Sequence, residues 1–332
     1  MPQSFDIITV GSATMDIFAH TADEHAHLKH IHHATEVCYP LGAKILVSQL
    51  EIFTGGGGTN TGVGFSRLGF KTAYLGKLGN DLNAQIILDE LKREHVTFIG
   101  IRDPKLACGC SVILDSIGED RTILAYKGAN DNLRVQDVDI ATLKAQWFYF
   151  CSMMNTSFLT QKKLIDYAVK HKMKYAFNPS LYLTKKGVHY LAHILKYAEI
   201  LIFNKEEAQA LLEDTDPNVQ NLCMKVAKLG PKIVVITDGM HGANVYSIHD
   251  HAFYTARPGK VKIIETTGAG DAFSVGFVAG IMKGLPFEIA LKMGMLNAES
   301  VISSKGAKNI LLDKKLFILA KKDKRVVAKK KI

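Results

Sequence analysis

The amino-acid sequence predicts an α/β protein with a central, mostly parallel sheet flanked by helices and a small β-sheet lid. Short apolar runs that alternate with helical patterns predict the sheet and its helices. Two stretches that interrupt this alternation predict the lid. Two glycine-rich segments stand where helices are predicted to begin, and they mark candidate binding sites.

The apolar runs have the length of buried strands, and the patterns between them have the period of helices. The predicted strands are residues 5–11, 147–151, 175–177, 200–203 and 233–237. The predicted helices are residues 160–171, 206–212, 219–229 and 272–282. Strands that alternate with helices indicate βαβ units, and therefore a mostly parallel sheet.

The stretches 36–53 and 108–127 do not follow this alternation. The second predicts a hairpin of two half-buried strands, 111–114 and 122–126, joined by a turn at 118–120. Because both stretches read as β structure apart from the main sheet, we expect a small lid that covers a site on that sheet.

The predicted organisation is one domain followed by a tail. The domain spans residues 1–313, and its lid is formed by about 14–53 and 97–127. The tail, 314–332, holds nine Lys or Arg and one Asp, so it carries most of the net charge of +9. A basic tail on a near-neutral body argues against nucleic acid as a partner. We interpret the tail as a solvated, frayed end, with a weak polyanion contact as the alternative.

Composition excludes several other classes of protein. An apolar fraction of 47% and a charged fraction of 22% are typical of a globular chain with a large core. The five cysteines are irregularly spaced, which argues against a disulfide framework and favours a reduced, cytoplasmic setting. We expect no signal peptide and no membrane span, because no apolar run reaches about 18 residues.

A histidine cluster lies at the predicted lid. It offers either a metal site or, as we favour, a polar loop at the edge of the lid, because the ligand spacing is irregular. Its members are His20, His25, His27, His30, His32 and His33.

The first glycine-rich segment is residues 55–58, followed by Asn60 and an amphipathic stretch. Four glycines let the backbone approach a ligand closely, and Asn60 can offer its amide to a ligand hydroxyl. A flexible linker with an Asn helix cap explains the same residues equally well. The segment is not a P-loop, because Phe70 precedes Lys71 where a P-loop has Lys directly after its second glycine.

The second segment, residues 265–273, begins with Glu265 and contains Gly268, Ala269, Gly270 and Asp271. A glycine turn that enters a helix leaves backbone N–H groups free to bind a transferring phosphoryl group. Asp271 would lie in the first helical turn, where it can accept a proton from an attacking hydroxyl. A helix start with an acidic residue favoured by the dipole is the alternative.

Two further motifs follow predicted strands. Asn204 and Glu207 have the spacing of a helix capping box, which is the interpretation that spacing alone favours. The alternative places Glu207 at a metal ion, because ligands bind at the carboxyl ends of parallel strands. The turn at 237–242 follows the next strand and would contact a nucleotide or serve only as a turn.

In their order and separation these motifs resemble the ribokinase-like (PfkB) family of carbohydrate and nucleoside kinases, over residues 6–307. The resemblance implies a sheet flanked by helices under a β lid, with ATP and Mg²⁺ as cofactors. It implies that Asp271 is the base and that Gly268, Ala269 and Gly270 form an anion hole. The residues that would hold the acceptor are Asp16, Gly56, Gly57 and Asn60.

The resemblance also assigns a nucleotide site. Asn204 and Glu207 would support Mg²⁺ and the phosphates, and Asn297 would lie near the adenine. The residues that would line the nucleotide pocket are Thr237, Gly239 and Gly242. Glu265 stands where many members have Asp at a monovalent cation site, which leaves activation by K⁺ open.

The reaction that we expect is ATP-dependent phosphoryl transfer to a primary hydroxyl of a ribose- or fructose-like sugar. A nucleoside is the alternative acceptor. Phe53, Ile113 and Tyr126 of the lid would stack on its base in that case, and they would otherwise form the core of the lid. A non-catalytic ligand-binding regulator is a less favoured class, because Asp271 and the glycines are present. We expect the protein to bind a small molecule and not a membrane. A homodimer is compatible with the sequence.

Overall fold

The protein is described here by a computed structural model that covers residues 4–21, 27–31, 34–115 and 121–332. Its strands are β1 (Ser4–Val10), β2 (Thr14–Thr21), β3 (His27–Ile31), β4 (Ala34–Cys38), β5 (Val47–Gly55), β6 (Thr72–Leu75), β7 (Lys77–Leu78), β8 (Thr97–Phe98), β9 (Ile101–Arg102), β10 (Gly109–Asp115), β11 (Arg121–Tyr126), β12 (Lys144–Cys151), β13 (Lys174–Asn178), β14 (Ile200–Asn204), β15 (Ile233–Thr237), β16 (Ala243–Ser247), β17 (Ala252–Ala256) and β18 (Val327–Lys331). Its helices are α1 (Gly57–Arg67), α2 (Leu82–Arg93), α3 (Asn155–Lys170), α4 (Leu181–Thr184), α5 (Gly187–Leu195), α6 (Lys205–Leu212), α7 (Val219–Ala227), α8 (Ala269–Met282), α9 (Phe287–Ile302) and α10 (Leu316–Lys322).

The main sheet has ten strands in the order β18-β17-β16-β15-β14-β13-β12-β1-β6-β8. The strands from β8 to β15 pair in parallel, and β16, β17 and β18 add antiparallel strands at one edge. Helices cover both faces, so the parallel strands are buried on each side, as continuous apolar runs require. The predicted α/β class is therefore confirmed, and the predicted strands and helices are found in their places.

The lid is a separate four-stranded sheet in the order β11-β10-β2-β5. The predicted hairpin is confirmed as the antiparallel pair β10 and β11, whereas its turn at 116–120 lies outside the described residues. The expectation that the lid includes residues from 97 onward is wrong at its start. Residues 97–98 form β8, which pairs in parallel with β6 in the main sheet, and α2 lies in the crossover connection that a parallel pair requires.

The histidine cluster is described only in part. His20 lies in β2, where its Nε2 is 3.3 Å from Glu51 Oε2. His27 and His30 lie in β3, although their side chains are not described, and the remaining three histidines lie outside the described residues. In the part of the chain that is described, no group of three or more His, Cys, Asp or Glu side chains is arranged to hold a metal ion. No described helix has the length and apolar character of a membrane span.

The tail corrects the expectation of a frayed end. Residues 316–322 form α10, whose Leu316 and Ala320 are buried against α9 and the sheet, and β18 pairs with β17 as the edge strand. Arg325 fixes the connection between them. Its guanidinium donates two hydrogen bonds of 2.8 Å to the carboxylate of Glu299 and also contacts Asp323. The frayed end was predicted from charge composition alone. That criterion fails here because edge strands tolerate outward-pointing lysines.

The Arg325 cluster predicts a stability effect. We expect Arg325→Ala to lower the free energy of unfolding by about 3 kcal/mol, because it leaves the buried carboxylate of Glu299 and the half-buried one of Asp323 without their guanidinium partner. Lys324→Ala removes an exposed charge of the same sign beside it and is the matched control, with a change within about 0.5 kcal/mol. Urea unfolding measures both. Equal effects of the two variants would show that 314–332 is a frayed tail after all.

Candidate active site

The first glycine-rich segment forms the start of α1. Gly56 precedes the helix with a φ of 94°, in the left-handed region that glycine favours. A Cβ at Gly55 would overlap the carboxylate of Asp16, so glycine is what allows β5 and β2 to bring that carboxylate to the helix start. Asp16 accepts a hydrogen bond of 2.9 Å from Thr14 Oγ1, and burial raises the pKa of Asp16.

The second glycine-rich segment forms the start of α8. Gly268 is the N-cap residue with a φ of 80°, and a Cβ there would lie 2.6 Å from Ala307. Gly270 differs, because a Cβ built on it meets no atom within 4 Å. Ala269 donates its N–H to Thr266 O at 3.2 Å. The first-turn N–H groups that donate to none of the described residues are therefore those of Gly270 and Asp271.

Asn60 and Asp271 join the two segments. Asn60 Nδ2 donates a hydrogen bond of 2.9 Å to Asp271 Oδ2, across 211 residues of sequence. Burial raises the pKa of Asp271, whereas the bond from Asn60 and the positive charge of Lys308 act in the opposite direction. A carboxyl group with a raised pKa is well suited to accept a proton near neutral pH.

Lys308 is a buried lysine behind this junction. Its side chain is 3% exposed, and its Nζ lies 2.7 Å from Glu90 Oε2 and donates to Thr59 Oγ1 at 3.2 Å. Thr59 belongs to the first turn of α1. Burial lowers the pKa of Lys308, and the neighbouring carboxylate of Glu90 opposes that shift. The ammonium group therefore ties the start of α1 to α2 and places positive charge near Asp271.

Two cavities meet at Asp271. The first cavity, of about 240 Å³, extends from Gly57 to Lys127 and Tyr182. The other, of about 220 Å³, lies at the carboxyl ends of β14 and β15, next to Gly268 and Gly270. Both are lined by Asn178, Glu207 and Asp271. The carboxyl ends of parallel strands are where ligands bind in open α/β sheets.

The predicted capping box is present. Asn204 Oδ1 accepts the N–H of Glu207 at 2.8 Å, and Glu207 Oε2 accepts the N–H of Asn204 at 2.9 Å. Both side chains also line the second cavity, so the structural and functional interpretations are compatible. Burial raises the pKa of Glu207 to about 7.

The other residues predicted to bind the nucleotide do not all line the second cavity. Thr237 lines the second cavity, whereas Gly239 and Gly242 lie in the turn between β15 and β16 and line neither cavity. That Asn297 lies near the adenine stays a prediction. Its side chain is fully buried between α8 and the following loop, where it donates to Ala272 O and accepts the N–H of Leu312. It therefore has no exposed amide to offer a ligand.

Glu265 occupies the loop before α8. Its carboxylate accepts the N–H of Thr267 at 3.1 Å and the N–H of Gly306 at 3.3 Å. These bonds join the loop to the segment that carries Ala307, against which Gly268 packs. A monovalent cation site at Glu265 stays a prediction.

Sequence reasoning missed three residues of this region. Asn178 ends β13 and lines both cavities, and its position before Pro179 at a strand end was an available signal. Lys127 follows β11 and lines the first cavity. Lys308 stands in a loop without any recognisable motif, so only the packing of α1 and α2 shows its role.

Comparisons with known proteins identify the family of the chain. A model of the pfkB family of carbohydrate kinases matches residues 6–315. An uncharacterized sugar kinase of Archaeoglobus fulgidus is 27% identical over 251 residues, which cover 74% of this chain and 97% of that protein. A 5-dehydro-2-deoxygluconokinase of Bacillus subtilis is 22% identical over 316 residues, 91% of each chain.

Solved structures show the same fold. The structure of Arabidopsis thaliana ribokinase complexed with ribose and ATP superposes with a TM-score of 0.78 at 19% identity, covering 96% of this chain and 99% of that one. The chain belongs to the pfkB family of carbohydrate kinases and is an ATP-dependent sugar kinase with the ribokinase fold.

Proposed function

We propose that the protein transfers the γ-phosphoryl group of ATP to a primary hydroxyl of a ribose- or fructose-like sugar. The observation that carries this proposal is the position of Asp271, which stands where two cavities meet and where α1 and α8 begin. One cavity then holds the sugar and the other the nucleotide. The reacting oxygen and phosphorus would meet beside this carboxylate.

The proposed step is an in-line displacement. The hydroxyl proton of the sugar moves to the Asp271 carboxylate, a bond forms between that oxygen and the γ-phosphorus, and the bond from phosphorus to the leaving oxygen of ADP breaks. Of the predicted anion hole of Gly268, Ala269 and Gly270, the N–H of Ala269 already donates to Thr266 O, so the N–H groups of Gly270 and Asp271 would stabilise the charge on the transferring group. Of the residues predicted to hold the sugar, Gly57 lines the first cavity, whereas Asp16, Gly56 and Asn60 line neither and would orient the sugar from beside the start of α1.

The nucleotide side of the proposal uses the second cavity. Asn204, Thr237, Gly239 and Gly242 would contact ATP, with the two glycines at the outer turn. Mg²⁺ is bound in such sites by one or two carboxylates together with substrate phosphates, and Glu207 offers one carboxylate to this cavity. Glu207 would hold the Mg²⁺ ion through a water molecule, and the ion would offset the negative charge of the phosphates. A K⁺ ion near Glu265 is a further element of the proposal.

A sugar acceptor is favoured over a nucleoside by the lid. Phe53 packs edge to face on Phe18, with ring centroids 5.7 Å apart, and Ile113 is 2% exposed. Both therefore belong to the lid core. Tyr126 is exposed but lines neither cavity. None of the three residues is placed to stack on a base.

The base assignment predicts a large loss of turnover. We expect Asp271→Asn to lower kcat by about 10²- to 10⁴-fold, because the amide cannot accept the proton. Its folded state should persist, since burial already disfavours the charged form of this carboxyl group. Asp89→Asn, on the exposed face of α2, is the control and should keep full activity. Phosphorylation of a sugar panel measures both, and an active Asp271→Asn variant would disprove the assignment.

Substitution of the two glycines at the start of α8 is expected to separate an effect on catalysis from an effect on stability. Gly270→Ala should leave the free energy of unfolding within about 0.5 kcal/mol, because its Cβ meets no neighbour, yet it should lower kcat by crowding the phosphoryl group. Gly268→Ala should cost about 1–3 kcal/mol of stability, because its φ of 80° and Ala307 leave no room. Thermal unfolding with steady-state kinetics separates the two. Full activity in Gly270→Ala would contradict the phosphoryl site.

A further inference from the structure

Lys127 lines the first of the two cavities that meet at Asp271. It follows β11 directly and is half-buried. Its ammonium group forms no ion pair with the described residues and lies over the ring of Tyr182, 5.4 Å from the ring centroid. A cation that faces a cavity without an anionic partner is available to a ligand.

The two lysines that are fully buried among the described residues are paired. Lys77 lies 3.1 Å from a carboxylate oxygen of Asp103 and 2.8 Å from one of Asp137, and Lys308 is paired with Glu90. The fold thus supplies carboxylates to the lysines that it buries. Lys127 is half-buried and has no such carboxylate partner, and it lines a cavity where a small molecule is expected.

Asp131, the acidic residue nearest to Lys127 in sequence, forms no ion pair with it. Asp131 also lines the cavity, but its Oδ2 accepts a hydrogen bond of 2.8 Å from Asn155 Nδ2 at the start of α3. The remaining carboxyl groups of the cavity, Glu207 and Asp271, stand at its other end, where it meets the second cavity. Lys127 and Asp131 therefore line the part of the cavity away from the reacting end, and Lys127 is the one cation among the side chains that line it.

The contact with Tyr182 is readily replaced. Tyr182 is 59% exposed, and cation–π contacts at exposed sites contribute only about 0.5–1 kcal/mol. Charge-assisted hydrogen bonds to a carboxylate or phosphate are stronger and shorter. An anionic group in the cavity would therefore replace the ring of Tyr182 as the partner of the Lys127 ammonium group.

We propose, on the basis of the proposed function, that the acceptor is an anionic sugar and that Lys127 binds its carboxylate or phosphate group. The primary hydroxyl lies at Asp271 and the anionic group at the opposite end of the same cavity. Lys127 is thus a specificity-determining residue that selects sugar acids or sugar phosphates over neutral sugars and nucleosides.

Matched acceptors test this inference. Glucose is compared with gluconate, and fructose with fructose 6-phosphate, at saturating ATP and Mg²⁺. Wild-type protein should show a kcat/KM at least about 10-fold higher for one anionic acceptor than for its neutral counterpart. Lys127→Gln should lower that value by about 10- to 100-fold, mainly through KM, whereas Lys127→Arg should retain most of it. The preferred member of the panel distinguishes a carboxylate from a phosphate.

Lys162→Gln is the control, because Lys162 is also half-buried and contacts a ring, that of Phe158 at 5.9 Å, without lining the cavity. It should leave all kinetic constants unchanged. A preference for neutral acceptors, or an equal effect of Lys127→Gln on neutral and anionic acceptors and on the KM for ATP, would overturn the inference and leave the proposed function intact. Wild-type protein that phosphorylates no acceptor would contradict the proposed function itself.

Discussion

The hydrogen bond from Asn60 to Asp271 is the contact on which the site depends. It requires that the first turns of α1 and α8 meet, although 211 residues separate them in sequence. Close helix packing makes the meeting possible. A Cβ at Gly64 of α1 would lie 2.9 Å from the side chain of Val275 in α8, and one at Gly276 would lie 2.5 Å from the backbone of α9. Small residues therefore set the distance between the acceptor and phosphoryl sites.

Burial and charge act against each other at this junction. Removal from water raises the pKa of Asp271, and the bond from Asn60 together with Lys308 limits that rise. The carboxyl group thus remains able to ionise while it stays basic enough to take a proton. Lys308 is held in turn by Glu90, so an ion pair beneath the site helps set the proton affinity of the proposed base.

Local patterns were sufficient to predict the sheet, the hairpin of the lid and the helix after Gly268, because each depends on periodicity and turn residues. They were not sufficient where a residue's role depends on distant partners. The Lys-rich segment forms an edge strand because its backbone pairs with that of β17. The Asn297 side chain is buried and hydrogen-bonds two backbone segments that are distant in sequence. Lys127 and Lys308 carry no motif, so only the folded chain distinguishes the lysine that is paired from the one that faces a cavity.

The pH dependence of kcat/KM for Asn60→Ala tests the central claim most directly, since this constant reports the pKa of the base in the free enzyme. Asn60 donates to the ionised carboxylate, so its loss should raise the pKa of Asp271 further. The account predicts that the acidic limb of the profile moves to higher pH in the variant. An acidic limb at the wild-type position, or one displaced to lower pH, would contradict the assignment of Asp271 as a base controlled by Asn60.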